Sequence, residues 1–355
     1  MPTKITNRLD SAALQNILRV TREPLRQFTD SQVHDLLCAD LPGYLQYLES
    51  ALGELAGGQA NITLPEKLLF QQPGENGDFR VMPCVRTTAS GRLHKTVKLV
   101  GTNRHGQRVP DQISVGKACY LDPLENYVSH QFDACLLSSI RTGACAALAQ
   151  RYLQSAHHPP RTINLVGAGR VGFYTTLCLL SDHHAASLTI TDLQPERATQ
   201  LVEALQKIVP HWHITHSPYA DLADCELLIL ATTSERPIYH PDQFHADLVI
   251  SLGADCREQR ELHSHSRWQQ QPLFVDTKDS LRYGDLAAWN PDGKSLIDLI
   301  DLAALSSSAT PTAYPALFIS TGSALLDNLT ISYLVELIAE TEDEGQPAEI
   351  TAETR

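Results

Sequence analysis

Positive charge is scarce in this sequence. Its 28 Lys and Arg face 41 Asp and Glu in 355 residues, a net charge of −13. That balance disfavours a general binder of phosphate backbones, so nucleic acid is not an expected partner. No run approaches the roughly 20 apolar residues that span a bilayer. The opening Met-Pro-Thr-Lys-Ile-Thr-Asn-Arg-Leu-Asp has no hydrophobic signal-peptide core. A soluble, cytoplasmic protein without membrane contact is expected. The eight cysteines contain no C-x-x-C pair; in a chain of this size that excludes a disulfide framework and points to reduced, buried thiols. The 15 histidines include the doublets His157/His158 and His183/His184 and the sets His211/His213/His216 and His263/His265. None has the helical spacing of H-E-x-x-H or a Cys or carboxylate at zinc-ligand spacing, so no metal site is expected.

What is present is core-forming material: 43% of the residues are hydrophobic, enough for about two domains at roughly 150 residues each. Phe28 to Leu55 places apolar residues at helical spacing, with Thr29 and Asp30 as N-caps and Gly57-Gly58 as a stop. Residues 61–130 change to short apolar segments punctuated by Pro and Gly, which is strand and turn grammar. An Ala- and Leu-rich helix follows from Asp133 to Leu153, with an interruption expected at Gly143. From Ile163 to Val275 short apolar strands alternate with amphipathic helices, the pattern of a parallel sheet covered on both faces. A last strand, Ala316-Leu317-Phe318-Ile319, leads into a helix ending near Ala339. The acidic stretch 341–355 reads as a disordered tail.

Within the alternating region, Gly167-Ala168-Gly169-Arg170-Val171-Gly172 follows a strand and opens a helix, and a second strand ends in Asp192, 25 positions after Gly167. The first glycine permits the tight turn, Gly169 lets backbone N–H groups approach a pyrophosphate, and Gly172 allows close helix–strand packing. Asp192 would accept hydrogen bonds from the adenosine ribose hydroxyls and repel a 2′-phosphate, so NAD is expected over NADP, although Arg197 lies close in sequence.

With these parts placed, the chain resembles the ornithine cyclodeaminase and mu-crystallin family from about Met82 to Leu337. The resemblance rests on Met82-Pro83, Val97-Lys98-Leu99-Val100 with Asn103, Arg141-Thr142-Gly143-Ala144, the glycine fingerprint, Ala231-Thr232-Thr233-Ser234 with Pro237, Gly253-Ala254-Asp255-Cys256 with Glu261-Leu262, and Thr321-Gly322 with Asp327. It implies an α/β protein: a Rossmann dinucleotide-binding domain (143–321) and an α+β substrate and dimerisation domain assembled from both chain ends (1–142 and 322–340). It also implies a homodimer and an amino-acid substrate with a carboxylate. By motif matching, Lys98 and Arg141 bind that carboxylate and Asp255 is the acid/base. Thr142, Thr232, Thr233 and Thr321 accompany Gly167 to Gly172 and Asp192 on the cofactor side, and Gly322 approaches the nicotinamide or substrate. Lys67 is the one counterpart offered for the family's N-terminal substrate arginine.

The residues themselves suit such chemistry. Asp255 follows an apolar strand at the carboxyl end of a parallel sheet, where ligands and catalytic groups sit, and burial there would raise its pKa; capping a helix is the alternative. Lys98 lies in an apolar strand, a costly place unless it is paired or snorkels from an edge. Arg141 suits a bidentate carboxylate pair or an internal salt bridge. Together they fit oxidation of an α-amino acid or reduction of an imine. A dehydrogenase of the kind that oxidises an aminocarboxyethyl-glutamate conjugate, a cyclodeaminase of ornithine or lysine, and a non-catalytic binder all remain open. Ornithine cyclodeaminases carry a glutamate two positions before Met-Pro, whereas this chain has Arg80. If Arg80 points into the site, it repels a cationic side chain and favours a dicarboxylate.

Overall fold

A computed structural model describes residues 12–19, 21–71, 77–103, 112, 114–154, 159–181, 187–256, 258–269, 271–291, 295–306 and 315–343. Two sheets organise them. The first runs in the order Arg26–Phe28, Val128–Asp133, Ser114–Leu121, Leu93–Asn103, Gly77–Thr87, Asn61–Thr63, with Leu68–Phe70 also paired to Gly77–Thr87. Its long strands are antiparallel, with Met82 opposite Lys98 and Lys98 opposite Ala118. The period of two sorts their side chains. Arg80, Met82, Cys84, Arg86, His94, Thr96, Lys98 and Val100 face inward and are buried. Leu68, Phe70, Phe79, Val85 and Leu99 face outward and are 37–53% exposed. Lys98 therefore sits on a central strand and is 1% exposed, which excludes the edge lysine that snorkels to solvent.

The second sheet is parallel throughout, in the order His213–His216, Ser187–Thr191, Thr162–Val166, Cys225–Leu230, Ala246–Ser251, Ala316–Ile319, Leu273–Val275, Leu296–Ile297. The first five follow the doubly wound arrangement, with the order reversing beside the fingerprint strand Thr162–Val166; ligands bind at such a point. The apolar runs Cys225–Leu230, Ala246–Ser251 and Ala316–Ile319 are almost wholly buried, as two covered faces require.

Two sequence expectations about helices change. The apolar run from Phe28 to Leu55 is two helices, Asp30–Ala39 and Leu41–Ala56. Thr29 and Gln32 form a capping box on the first, and the Asp40 side chain accepts the Gly43 N–H at 3.0 Å to start the second. The helix Ala134–Leu153 is not interrupted at Gly143. The glycine serves contact instead: a Cβ there would lie 2.6 Å from the backbone carbon of Tyr174, in the crossing helix Arg170–Leu180. This helix thus runs unbroken through the 142/143 position expected to divide the domains. The closing helix Ala324–Asp343 packs on the strands Gly77–Thr87 and Leu93–Asn103. It extends past the expected start of the tail at 341; residues 344–355 lie outside the described residues. No described helix is long and apolar enough to cross a membrane.

Candidate active site

A cavity of about 1090 Å³ opens between the two sheets. Gly167, Gly169, Arg170, Val171, Asp192, Arg197, Thr232 and Thr233 line one part of it; Asp78, Arg80, Gly253 and Asp255 line another. Gly167 has φ +108°, and a Cβ there would lie 2.4 Å from the Ala231 carbonyl oxygen, so the turn needs glycine. Gly172 packs its Cα against the Gly167 carbonyl. Nothing lies within 4 Å of a Cβ built on Gly169, and no side chain caps the helix Arg170–Leu180 that begins there. Its amide donors are left for an anion, as the pyrophosphate of a dinucleotide requires. The Asp192 carboxylate accepts the Ala168 N–H at 2.8 Å and the Gln194 N–H at 2.9 Å, tying the second strand to the fingerprint turn. The Thr142 hydroxyl donates to the Ser138 carbonyl at 2.8 Å, one turn back in its own helix, which leaves its oxygen only the accepting role.

Lys98, Arg141 and Asp327 form a buried cluster. Lys98 Nζ lies 2.7 Å and Arg141 Nε 3.0 Å from the same oxygen, Asp327 Oδ1, and Lys98 also reaches Ser138 Oγ at 3.3 Å. Two cations on one carboxylate leave the cluster one positive charge in excess. Burial, then the neighbouring Arg141, bring the Lys98 ammonium down to about 7 against the pull of Asp327. Gly322 has φ +87°, a conformation that favours glycine, and its loop meets the Arg141 guanidinium, whose nearer terminal nitrogen would be in ordinary contact, at 3.4 Å, with a Cβ there. Of the two sequence alternatives for Arg141, the structure shows the internal salt bridge, made through Nε.

Arg80 differs from expectation. Its Nε and one terminal nitrogen grip Asp78 at 2.9 and 2.8 Å, while the other terminal nitrogen lies 2.8 Å from Asp255. One guanidinium between two carboxylates leaves this trio with one negative charge in excess. The repulsion of a cationic side chain inferred from Arg80 alone is therefore removed. Among the described residues no helix starts behind Asp255; the next is Ser266–Gln269. Asp255 leaves the end of the strand Ala246–Ser251, and 37% of its side chain faces the cavity. Its expected raised pKa is reversed: burial pushes upward, but the Arg80 charge and hydrogen bond, with Lys67 and Arg141, hold the carboxyl below the usual range.

Lys67 donates to the Thr321 carbonyl at 2.6 Å and lies 3.5 Å from the Tyr283 ring centroid. Burial, then Arg80, lower it to about 8. Two buried carboxylates whose part the sequence did not disclose hold the surrounding loops. Asp276, directly after the strand Leu273–Val275, accepts Ser320 Oγ, Thr321 N–H and Gly322 N–H on one oxygen and Ser280 Oγ on the other. A carboxylate ending an apolar strand was the available signal. Glu261 accepts Thr232 N–H and Oγ1 on one oxygen and Ser251 Oγ and Gly253 N–H on the other, at 2.7–2.9 Å. It joins the loop carrying Thr232 to the one carrying Asp255.

With this geometry in place the comparisons are decisive for kinship. The sequence profile of the "Ornithine cyclodeaminase/mu-crystallin family" matches residues 29–340. The chain belongs to this family. Delta(1)-pyrroline-2-carboxylate reductase 1 of Burkholderia multivorans is 24% identical over 298 residues, covering 81% of this chain and 88% of that one. Among solved structures, the Thermococcus litoralis Delta(1)-pyrroline-2-carboxylate reductase in complex with NADH and L-proline aligns with TM-score 0.75 at 20% identity, covering 89% of this chain and 98% of that chain. A lysine cyclodeaminase aligns with TM-score 0.75 at 20% identity, over 90% of this chain and 94% of its own. These structural likenesses show the family's fold over 89–90% of the chain.

Proposed function

We propose that the protein is an NAD(H)-dependent oxidoreductase that interconverts an imino acid and the corresponding amino acid at the Cα–N bond, acting on a small substrate with a carboxylate. The observation that carries this reading is that the Asp255 carboxylate faces the same cavity as the uncapped helix behind Gly169. NAD(H), when bound, supplies hydride exchange with the substrate Cα. The fingerprint amides hold its pyrophosphate and Asp192 its ribose. The surplus positive charge of Lys98 and Arg141 receives the substrate carboxylate. Asp255, kept ionised by Arg80, stabilises the protonated imine nitrogen, which makes Cα more electrophilic; in the oxidative direction it accepts the proton that the substrate ammonium gives up as hydride leaves Cα. Pyrroline-2-carboxylate-type imines fit this arrangement. Nothing in the placement of Arg80 favours the aminocarboxyethyl-glutamate conjugate. The neutralised Arg80 instead supports a second reading, cyclodeamination of ornithine or lysine, since a cationic side-chain amine meets no bare charge there. NADH loss with amino-acid formation supports the first reading; ammonia release from ornithine without net NADH change supports the second.

Asp192→Asn is expected to raise the NADPH-to-NADH ratio of kcat/KM about five- to thirty-fold, the factor set by removing about 1–2 kcal/mol of like-charge contact. An unchanged ratio would dismiss its part in cofactor choice. Lys98 and Lys67 lose their protons as pH rises through about 7 and about 8, so KM for a carboxylate substrate is expected to climb across that range. A flat KM would show that neither ammonium anchors it.

Homodimerisation is the reading best suited to the outer face of the first sheet, where Phe70 stacks on Phe79 at 4.6 Å beside exposed Leu68, Val85 and Leu99. Leu99→Asp is expected to give a monomer by analytical ultracentrifugation; a monomeric unsubstituted protein would refute the dimer. A reducing, cytoplasmic setting accords with eight cysteines that form no disulfide.

A further inference from the structure

The histidines that the cofactor and substrate readings leave unused converge in space. His240 and Asp242 lie on one segment and His263 and His265 on another, and a parallel bridge between Tyr239 and Leu262 draws the two together. The His263 N–H donates to the Tyr239 carbonyl at 3.0 Å, so the register of this bridge fixes the histidines against each other. One carboxylate faces two rings: Asp242 Oδ2 is 3.6 Å from His240 Nδ1, and Oδ1 is 3.7 Å from His265 Nε2. A ligand atom from each of the three lies within 4.8 Å of the other two. The two nitrogen–oxygen separations are too long for hydrogen bonds. With one Asp242 oxygen serving as ligand, the three ligand atoms would draw in from separations of at most 4.8 Å toward the edge of about 3.4 Å that a tetrahedron of ligands has around zinc at about 2.0–2.1 Å. The His263 ring lies 5.4 Å from that of His240.

We propose that His240, Asp242 and His265 form a site for one divalent transition-metal ion of the zinc class, separate from the cleft, with His263 or water as the fourth ligand. Imidazole and carboxylate donors suit zinc rather than the all-oxygen shells of calcium or magnesium. The ion would clamp the segment beginning at Ile238 to the one following Glu261. Ile238 lines the cleft and Glu261 holds its Thr232 loop, so the clamp braces two elements of the cavity wall. Loading has a cost that keeps the site weaker than a closed structural zinc site. The Asp242 N–H now donates to His240 Nδ1 at 3.2 Å and the Arg267 N–H to His265 Nδ1 at 3.1 Å. For Nε2 of His265 to bind metal, its ring proton moves to Nδ1 and the Arg267 contact is given up.

The test is titration of the metal-stripped full chain with Zn²⁺ by calorimetry and with Co²⁺ by visible absorption, for the unsubstituted protein, His240→Ala/His265→Ala and Asp242→Asn. The site predicts one equivalent that both variants lose, with a Co²⁺ spectrum of nitrogen and oxygen ligation and a Zn²⁺-dependent rise in Tm absent from the variants. Circular dichroism reports whether each variant is folded, and the exposed Asp242→Asn keeps the test available if the double variant is not. Equal stoichiometry and affinity in the unsubstituted protein and a folded variant, or no binding at all, overturns the proposal.

Discussion

Asp255→Asn is expected to lower turnover by about 10²–10⁴-fold, the usual worth of a positioned acid/base group, while leaving NADH affinity close to that of the unsubstituted protein. The amide keeps the shape of the side chain and an oxygen for Arg80, whose other donors remain on Asp78. What is lost is the charge that opposes Arg80 and steadies a protonated imine. The two effects separate in measurement: fluorescence titration with NADH follows the fingerprint half of the cavity, and single-turnover reduction follows the chemistry. A variant with undiminished turnover would remove Asp255 from the mechanism. A variant that loses NADH binding as well would make it a structural strut of the loop tied by Glu261.

The second large effect is expected at Arg141. Replacing it with Lys keeps a positive charge but loses the planar fork, so Asp327 and a substrate carboxylate compete for one ammonium. A charge-assisted hydrogen bond is worth about 1.5–3 kcal/mol, so kcat/KM is expected to fall about 10–150-fold, carried mainly by KM. Removing Asp327 instead leaves two buried cations without their shared anion. Asp327→Ala is therefore expected to destabilise the fold by about 3–5 kcal/mol, read as a lower midpoint in urea. If Arg141→Lys has the kinetics of the unsubstituted protein, the carboxylate is bound elsewhere.

Why these residues act together was only partly legible in the sequence. The fingerprint was legible because its determinants are local: Gly167, Gly169 and Gly172 lie within six residues at the start of one helix, and Asp192 directly follows the adjacent strand Ser187–Thr191. The parallel sheet was legible because burial on both faces leaves unbroken apolar runs such as Leu227 to Leu230. The charge arrangement was not, because it depends on partners far apart in the chain. Lys98 and Asp327 are 229 positions apart and Arg80 and Asp255 175. Asp78, two positions from Arg80 on the same strand face, is the one partner in the trio that lies local in sequence. Reading Arg80 as a bare cation suggested a dicarboxylate substrate; with its two carboxylates in view that preference has no support. Gly143 was misread for a similar reason. Glycine in a helix signals a break when considered locally, yet here it marks the point where two helices cross at backbone contact.

The proposed reaction is hydride exchange at the Cα–N bond of a carboxylate-bearing imino acid. Its most direct test mixes the purified protein with NADH and Δ1-pyrroline-2-carboxylate, with the six-membered cyclic imine acid in parallel. NADH is followed by absorbance and the amino acid by chromatography. The expected result is NADH consumption matched mole for mole by proline or its six-membered counterpart, and slowed about 10²–10⁴-fold in Asp255→Asn. Intact NADH with both imines, together with ammonia release from ornithine or lysine at constant NAD, would contradict it.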